Sequence, residues 1–193
     1  MANDLNDILD DLDALADDES DVSLGDVLEK IGPRGRGVIL LVPGFIGVSP
    51  VGAIPLVPTV LGVFTLLVAV QVLMGRDYPW LPGMLRDRAV KDEKLKDAVA
   101  KARGPAQWID RHFGSRLEAL TKRPAEMVAA LLCVAFACVL PPLEIVPFAA
   151  LVPFGAIALL GLALSLKDGV LMLVAFAASA AALYAVWMFL PFT

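Results

Sequence analysis

Histidine occurs once in these 193 residues, and cysteine twice, at Cys133 and Cys138. That scarcity excludes a Cys/His metal site and a disulfide framework, and leaves the two thiols as packing residues in an apolar run. A Ser/His/Asp arrangement, a phosphate-binding glycine loop and a carboxylate pair within one exposed loop are missing too. The chain is therefore expected to be no enzyme and to need no cofactor and no metal. Basic residues are absent from positions 1–29, which hold eleven Asp or Glu. Residues 76–126 reverse this, with twelve Lys or Arg against eight Asp or Glu. An acidic start and a basic middle argue against nucleic acid and for a loop that faces a membrane. The start also lacks the basic and apolar regions of a signal peptide, so the N-terminus is expected in the cytoplasm.

Charge is missing altogether from Gly37 to Gly75, a run of 39 residues. With 58% apolar residues and a mean hydropathy of +0.74, against roughly 45–50% apolar for a soluble domain, the chain reads as an integral membrane protein. The run is nonetheless broken by Pro43, Pro50, Pro55 and Pro58, with Gly44, Gly47 and Gly52 among them. An interior proline removes a helix hydrogen bond and clashes with the preceding turn. Hydrocarbon tolerates the resulting irregular backbone only where protein or a wet cavity satisfies it. Pro43-Gly44 is expected to end the first arm, and Thr59 to cap a second arm of 17 residues ending at Gly75. At 1.5 Å per residue that arm is about 26 Å long, short of a hydrocarbon core of roughly 30 Å. Short, broken arms predict a re-entrant hairpin over residues 34–76. Arg34 and Arg36 before it, and Arg76, Arg86 and Arg88 after it, hold both ends in the cytoplasm.

Ahead of the run, residues 1–33 are expected to form two acidic amphipathic helices on the cytoplasmic side. The first places Leu5, Ile8, Leu9, Leu12 and Leu15 on one face, and the second starts at Ser23-x-x-Asp26. An acidic helix is repelled by an anionic leaflet, so both are assigned to the protein's own cytoplasmic face in preference to a partner. Residues 77–124 read as a cytoplasmic, interfacial helical linker, with Trp80 and Trp108 as anchors at headgroup level. His112 falls on its polar face. A second apolar region runs from Met127 to Leu166 with Glu144 as its single charge. Pro141, Pro142, Pro147 and Pro153 break it into uninterrupted arms of 16 and 13 residues, Ala125–Leu140 and Phe154–Leu166. Residues 125–167 are thus expected to form a second broken hairpin. Lys167-Asp168-Gly169 turns the chain into residues 168–193. There Val170–Leu190 offers 21 apolar residues without proline, one conventional transmembrane helix with Trp187 as its far anchor.

The two broken regions resemble each other. Pro50 to Pro55 and Pro142 to Pro147 are equal steps of five; Gly62 and Gly155 follow, then Leu66-Leu67 and Leu159-Leu160. Each copy ends at a basic–acidic pair, Arg76-Asp77 and Lys167-Asp168. The fold expected is an all-α membrane protein: two Pro/Gly-broken, re-entrant-type helical hairpins in tandem repeat, one C-terminal transmembrane helix, and interfacial cytoplasmic helices. Paired interrupted segments point to a transporter-type site, although two tight apices would need the same prolines with no site at all.

Several of these motifs occur together in a known family. Gly35-Arg36-Gly37, Ile54-Pro-x-x-Pro-Thr59 with Gly62, Gln71-x-x-x-Gly75-Arg76 and Pro79-Trp-Leu-Pro82 resemble the ExoD family. So does Pro153-Phe-Gly-Ala-Ile-Ala-Leu-Leu-Gly161 followed by Lys167-Asp-Gly169. The resemblance covers most of the chain and implies a bacterial inner-membrane protein associated with exopolysaccharide synthesis. Glu144 departs from the small, glycine-containing apex that the resemblance implies.

Glu144 is the sharpest single candidate, because an ionisable group at membrane depth is costly and could relay protons or bind a cation. At the far interface it would simply sit in water. Gln71, Thr59, Pro55, Pro58, Pro147 and Pro153 complete a candidate translocation or binding set, though interhelical hydrogen bonding alone accounts for Gln71. Arg76, Arg86 and Arg88 are candidate contacts to a lipid headgroup or phosphate, and serve equally as topology signals. Ala175/Ser179, Ala178/Ala182 and Ala181/Ala185 permit close helix approach and favour a homodimer over packing on the chain's own hairpins. The function expected is a non-enzymatic, multi-pass protein of the lipid bilayer that supports exopolysaccharide synthesis or export. It would move or bind a lipid-linked saccharide intermediate, or an ion, through the paired hairpins. The alternative is a scaffold for polysaccharide-synthesis proteins that uses the acidic N-terminal helices.

Overall fold

The structure is a computed structural model that describes residues 5–18, 21–23, 35–75, 83, 89–91, 96–97, 99–104, 107, 121–144, 146 and 148–189. Six long helices dominate it: α1 (Leu5–Asp18), α2 (Gly35–Val48), α3 (Val57–Leu73), α4 (Arg123–Leu143), α5 (Leu151–Leu166) and α6 (Gly169–Phe189). The stripe expected from Ser23 onward, and the linker stripe of Trp108 to Leu120, lie outside the described residues.

The fold is mostly helical, as expected, with one short two-stranded ladder that was not expected. Asp21–Ser23 is a strand, β1, paired antiparallel with β2 (Ala89–Lys91), Val22 opposite Val90. β-branched residues favour such a ladder, and three-residue strands are too short to show a period. Val22 is fully buried, so the ladder ties the N-terminal region to the linker. Close by, the acidic face of α1 meets basic residues of the same chain. Arg103 bridges Asp10 and Asp13, each at 2.8 Å, and Lys96 reaches Asp17 at 2.6 Å. The hydrogen bonds that Arg103 donates, to Asp13 first and then to Asp10, push its pKa up from the ordinary value.

Proline positions and helix ends do not coincide as the pattern suggested. Pro43 lies inside α2, and α4 continues through Pro141 and Pro142 to Leu143. An interior proline costs about 3 kcal/mol, so tertiary contacts must offset it. In α2 they come from α5, which runs antiparallel to it at backbone distance. A Cβ on Gly161 would stand 2.5 Å from the Leu41 amide nitrogen, closer than any side chain permits. In α4 the prolines fall in the last turn, and the carbonyl that Pro141 leaves without its helical partner, on Ala137, faces Gly62 of α3.

Because of that continuation α4 has 21 residues, about 32 Å at 1.5 Å per residue. Among the described residues two helices, α4 and Gly169–Met188 of α6, are therefore long and apolar enough to cross a membrane, where one was expected. Large apolar side chains face outward on several helices, among them Phe45, Val60, Leu131, Val174 and Trp187.

The helices pair crosswise. α2 lies on α5 and α3 lies on α4, while α6 packs on α5. Phe136, Leu140, Phe154, Ile157, Leu160 and Met172 are fully buried between them. Lys167, left-handed at φ 49°, ends α5. Asp168 is 2% exposed, and its carboxylate accepts from the N–H groups of Val170 (2.8 Å) and Leu171 (3.0 Å), capping α6.

Candidate functional site

The crosswise pairing brings the two broken segments face to face. α3 begins at Val57 with Pro58 in its first turn, a position where the missing proline N–H costs nothing. Thr59, expected as the cap, is instead the third helical residue, and the N-cap is Leu56 at φ 71°, which offers no side-chain acceptor. The acceptor comes from the other break. Glu144, next after the last residue of α4, takes the Leu56 N–H on one carboxylate oxygen. Its other oxygen takes the Thr59 hydroxyl at 2.6 Å. A carboxylate on the N-cap N–H is the acidic half of a capping box, supplied here from 88 residues downstream.

Electrostatics favour the arrangement. A negative group at a helix N-terminus is stabilising by about 0.3–1 kcal/mol when exposed, and up to about 2 when partly buried. α4 serves the other end of α3 as well. Gly75 closes that helix in the left-handed conformation at φ 73°, and the Arg123 guanidinium lies where a Gly75 Cβ would be. One helix thus presents its neighbour with an anion at the start and a cation at the finish, each with the sign the helix dipole favours.

Glu144 is half-buried at the edge of a cleft of about 70 Å³, walled by Ile54, Pro55, Pro58, Phe148 and Leu151. Pro55, Pro58, Thr59 and Glu144 are therefore neighbours. Gln71 is not among them, because it lies twelve residues beyond Thr59 on the same helix, about 18 Å along the axis. It is buried, and its amide donates to its own helix at Leu67 O, 3.0 Å away. Pro153 is buried in the first turn of α5. Pro147, Arg76, Arg86, Arg88, Trp80 and Trp108 lie outside the described residues. Trp187 is exposed beside Tyr184, with ring centroids 6.4 Å apart. Ala175, Ser179 and Ala182 are buried, so that side of α6 packs at home. Among the described residues no cluster of His, Cys, Asp and Glu could hold a metal ion.

Sequence reasoning missed Leu56, Phe148 and Arg123. The first two are large apolar residues in a left-handed conformation, which no residue pattern announces. The charges at the two ends of α4 were visible, but only a partner helix of matching length gives them meaning.

Comparison with known proteins gives two matches. The family model described as "Exopolysaccharide synthesis, ExoD" matches residues 5–188. Protein ExoD of Rhizobium meliloti (strain 1021) is 30% identical over 155 residues, 78% of this chain. The match spans 62% of that relative's own length. No solved structure matches the chain.

Proposed function

The chain belongs to the ExoD family of exopolysaccharide-synthesis proteins, and from that premise we propose that it is a non-enzymatic, multi-pass protein of the bacterial inner membrane working through the Glu144 joint. The N-terminus is cytoplasmic, and the joint binds or passes a lipid-linked intermediate or an ion. One observation carries this reading: an ionisable side chain of one break holds the helix that begins at the other. Apolar cores seldom contain such a group, and polar groups at membrane depth mark pathways. In the re-entrant placement the α2–α3 pair enters and leaves from one side, its helices of 14 and 17 residues being about 21 and 26 Å long, and the end of α4 that meets its apex at Glu144 stops at the same depth.

Two experiments test this. In cells lacking the native copy, Glu144→Gln at normal membrane abundance is expected to abolish exopolysaccharide; undiminished production overturns a working role for the joint. Single-cysteine variants at the exposed Ala53 and Val146, with Cys133 and Cys138 replaced, test topology. Labelling of Ala53→Cys from the outside by an impermeant thiol reagent would sink the re-entrant placement of α2–α3. The alternative is a scaffold for polysaccharide-synthesis proteins that uses the acidic N-terminal helices; deleting residues 1–22 would then remove function while Glu144→Gln leaves it normal.

A further inference from the structure

The cleft at Glu144 shares a wall with a second hollow. Leu143, Val146 and Phe148 border both, and Val152, Ala185 and Val186 close the far side of the second. The cleft is polar through Glu144, whereas the hollow, about 250 Å³, is lined by apolar side chains alone. A carboxylate has about four acceptor positions. Glu144 uses one for the Leu56 N–H and one for the Thr59 hydroxyl, which leaves two on a half-buried side chain lining the cleft.

These features select a ligand. Unused acceptors on an anion favour a head that donates hydroxyl hydrogen bonds, and the same charge opposes a phosphate. A cleft of about 70 Å³ seats a hydroxyl-bearing fragment beside Glu144. The neighbouring hollow, at about 250 Å³, lies just below the roughly 300–1,000 Å³ of a ligand pocket and offers an apolar bed for one chain.

The geometry points to a composite site for a neutral, single-chain amphiphile: hydroxyls on Glu144, the chain along Val152 and Ala185. This rests on the reading that the joint is the working part, and narrows its ligand from lipid-linked intermediates in general to an uncharged, hydroxyl-bearing portion.

The test uses the full chain in phosphatidylcholine nanodiscs with two photoreactive probes of equal chain length, a monoalkyl glycerol ether and a monoalkyl phosphate. The ether is expected to label residues 148–152 and 185–186, and to outlabel the phosphate there by about tenfold, as like-charge exclusion implies. Glu144→Gln should bring the two probes towards parity. Val152→Trp, at an exposed position, should remove the labelling, and Ala185→Phe provides a second block should the first variant fail to fold. Equal labelling by the phosphate, or labelling spread evenly over outward residues such as Val60 and Leu131, overturns the inference. If labelling fails while Glu144→Gln still abolishes exopolysaccharide, the site is wrong and the proposed function stands. If labelling succeeds while that variant produces normally, the site stands and the proposed function falls.

Discussion

The breaks at 48–59 and 141–153 contain the same kinds of residue and handle their backbone differently. In the first, α2 stops at Val48 and a 3-10 turn follows over Pro50–Ala53. Ser49 starts that turn, accepting from the Val51 N–H at 3.3 Å. In the second, the helix runs on through two prolines and ends beside Glu144. Each then turns on a left-handed apolar residue before the next helix, Leu56 at φ 71° and Phe148 at φ 64°. The matched glycines part company as well. A Cβ on Gly62 would press Leu140 at 3.1 Å, while among the described residues nothing lies within 4 Å of one on Gly155. The first break leaves the Leu56 N–H and the Thr59 hydroxyl without a local acceptor, and the second supplies it. The two therefore complement one another, and likeness of sequence does not make them copies in structure.

The largest effect is expected where the second break is anchored. Phe154 is fully buried in the first turn of α5, its ring against Gly47 of α2. Phe154→Ala should destabilise by about 3–5 kcal/mol, read by denaturant unfolding in micelles. A loss below about 1 kcal/mol would mean that α2–α5 packing does not hold this break in place. A smaller effect tests the complementarity itself. Glu144→Ala leaves the Leu56 N–H and Thr59 hydroxyl without their acceptor, and should cost about 1–3 kcal/mol. Combined with Thr59→Val in a double-mutant cycle it should show coupling of about 0.5 kcal/mol or more. Additive losses would instead show two independent breaks. The smallest effect concerns their shared strain. A left-handed L-residue costs about 1–2 kcal/mol, partly offset in a glycine variant by about 0.5–1 kcal/mol of backbone entropy. Leu56→Gly and Phe148→Gly should each gain up to about 1 kcal/mol in the same unfolding assay. A gain at one position alone would show that the breaks carry unequal strain.

Much of this architecture was legible in the residues. The uncharged run, the interfering prolines and the apolar run after Gly169 announce apolar helices with interruptions between them. The amphipathic pattern of Leu9, Leu12 and Leu15 announces α1. Glu144, Thr59, Pro55 and Pro58 were singled out individually, but nothing in their spacing joins them, because the contact closes across more than eighty residues. Local propensity makes glycine a breaker in α2, whereas Gly44, Gly161 and their neighbours are the surface on which α2 and α5 meet. The heptad step from Gly37 to Gly44, matched by Gly161 and Ser165 one turn apart, was the available signal.

What the sequence determined by itself is solvent and segment: where apolar surface must be buried or face lipid, and where a helix is put at risk. Those follow from local chemistry, since charge, side-chain polarity and a missing proline N–H act on nearest neighbours. Whether a proline ends a helix was decided only by tertiary structure, because its local cost is comparable to what close packing of a neighbouring helix returns. Tertiary structure also decided which carboxylate caps which helix. Glu144 is a lone charge in one half of the chain and an N-terminal acceptor for the other, and only the crosswise pairing of α3 with α4 turns the first description into the second.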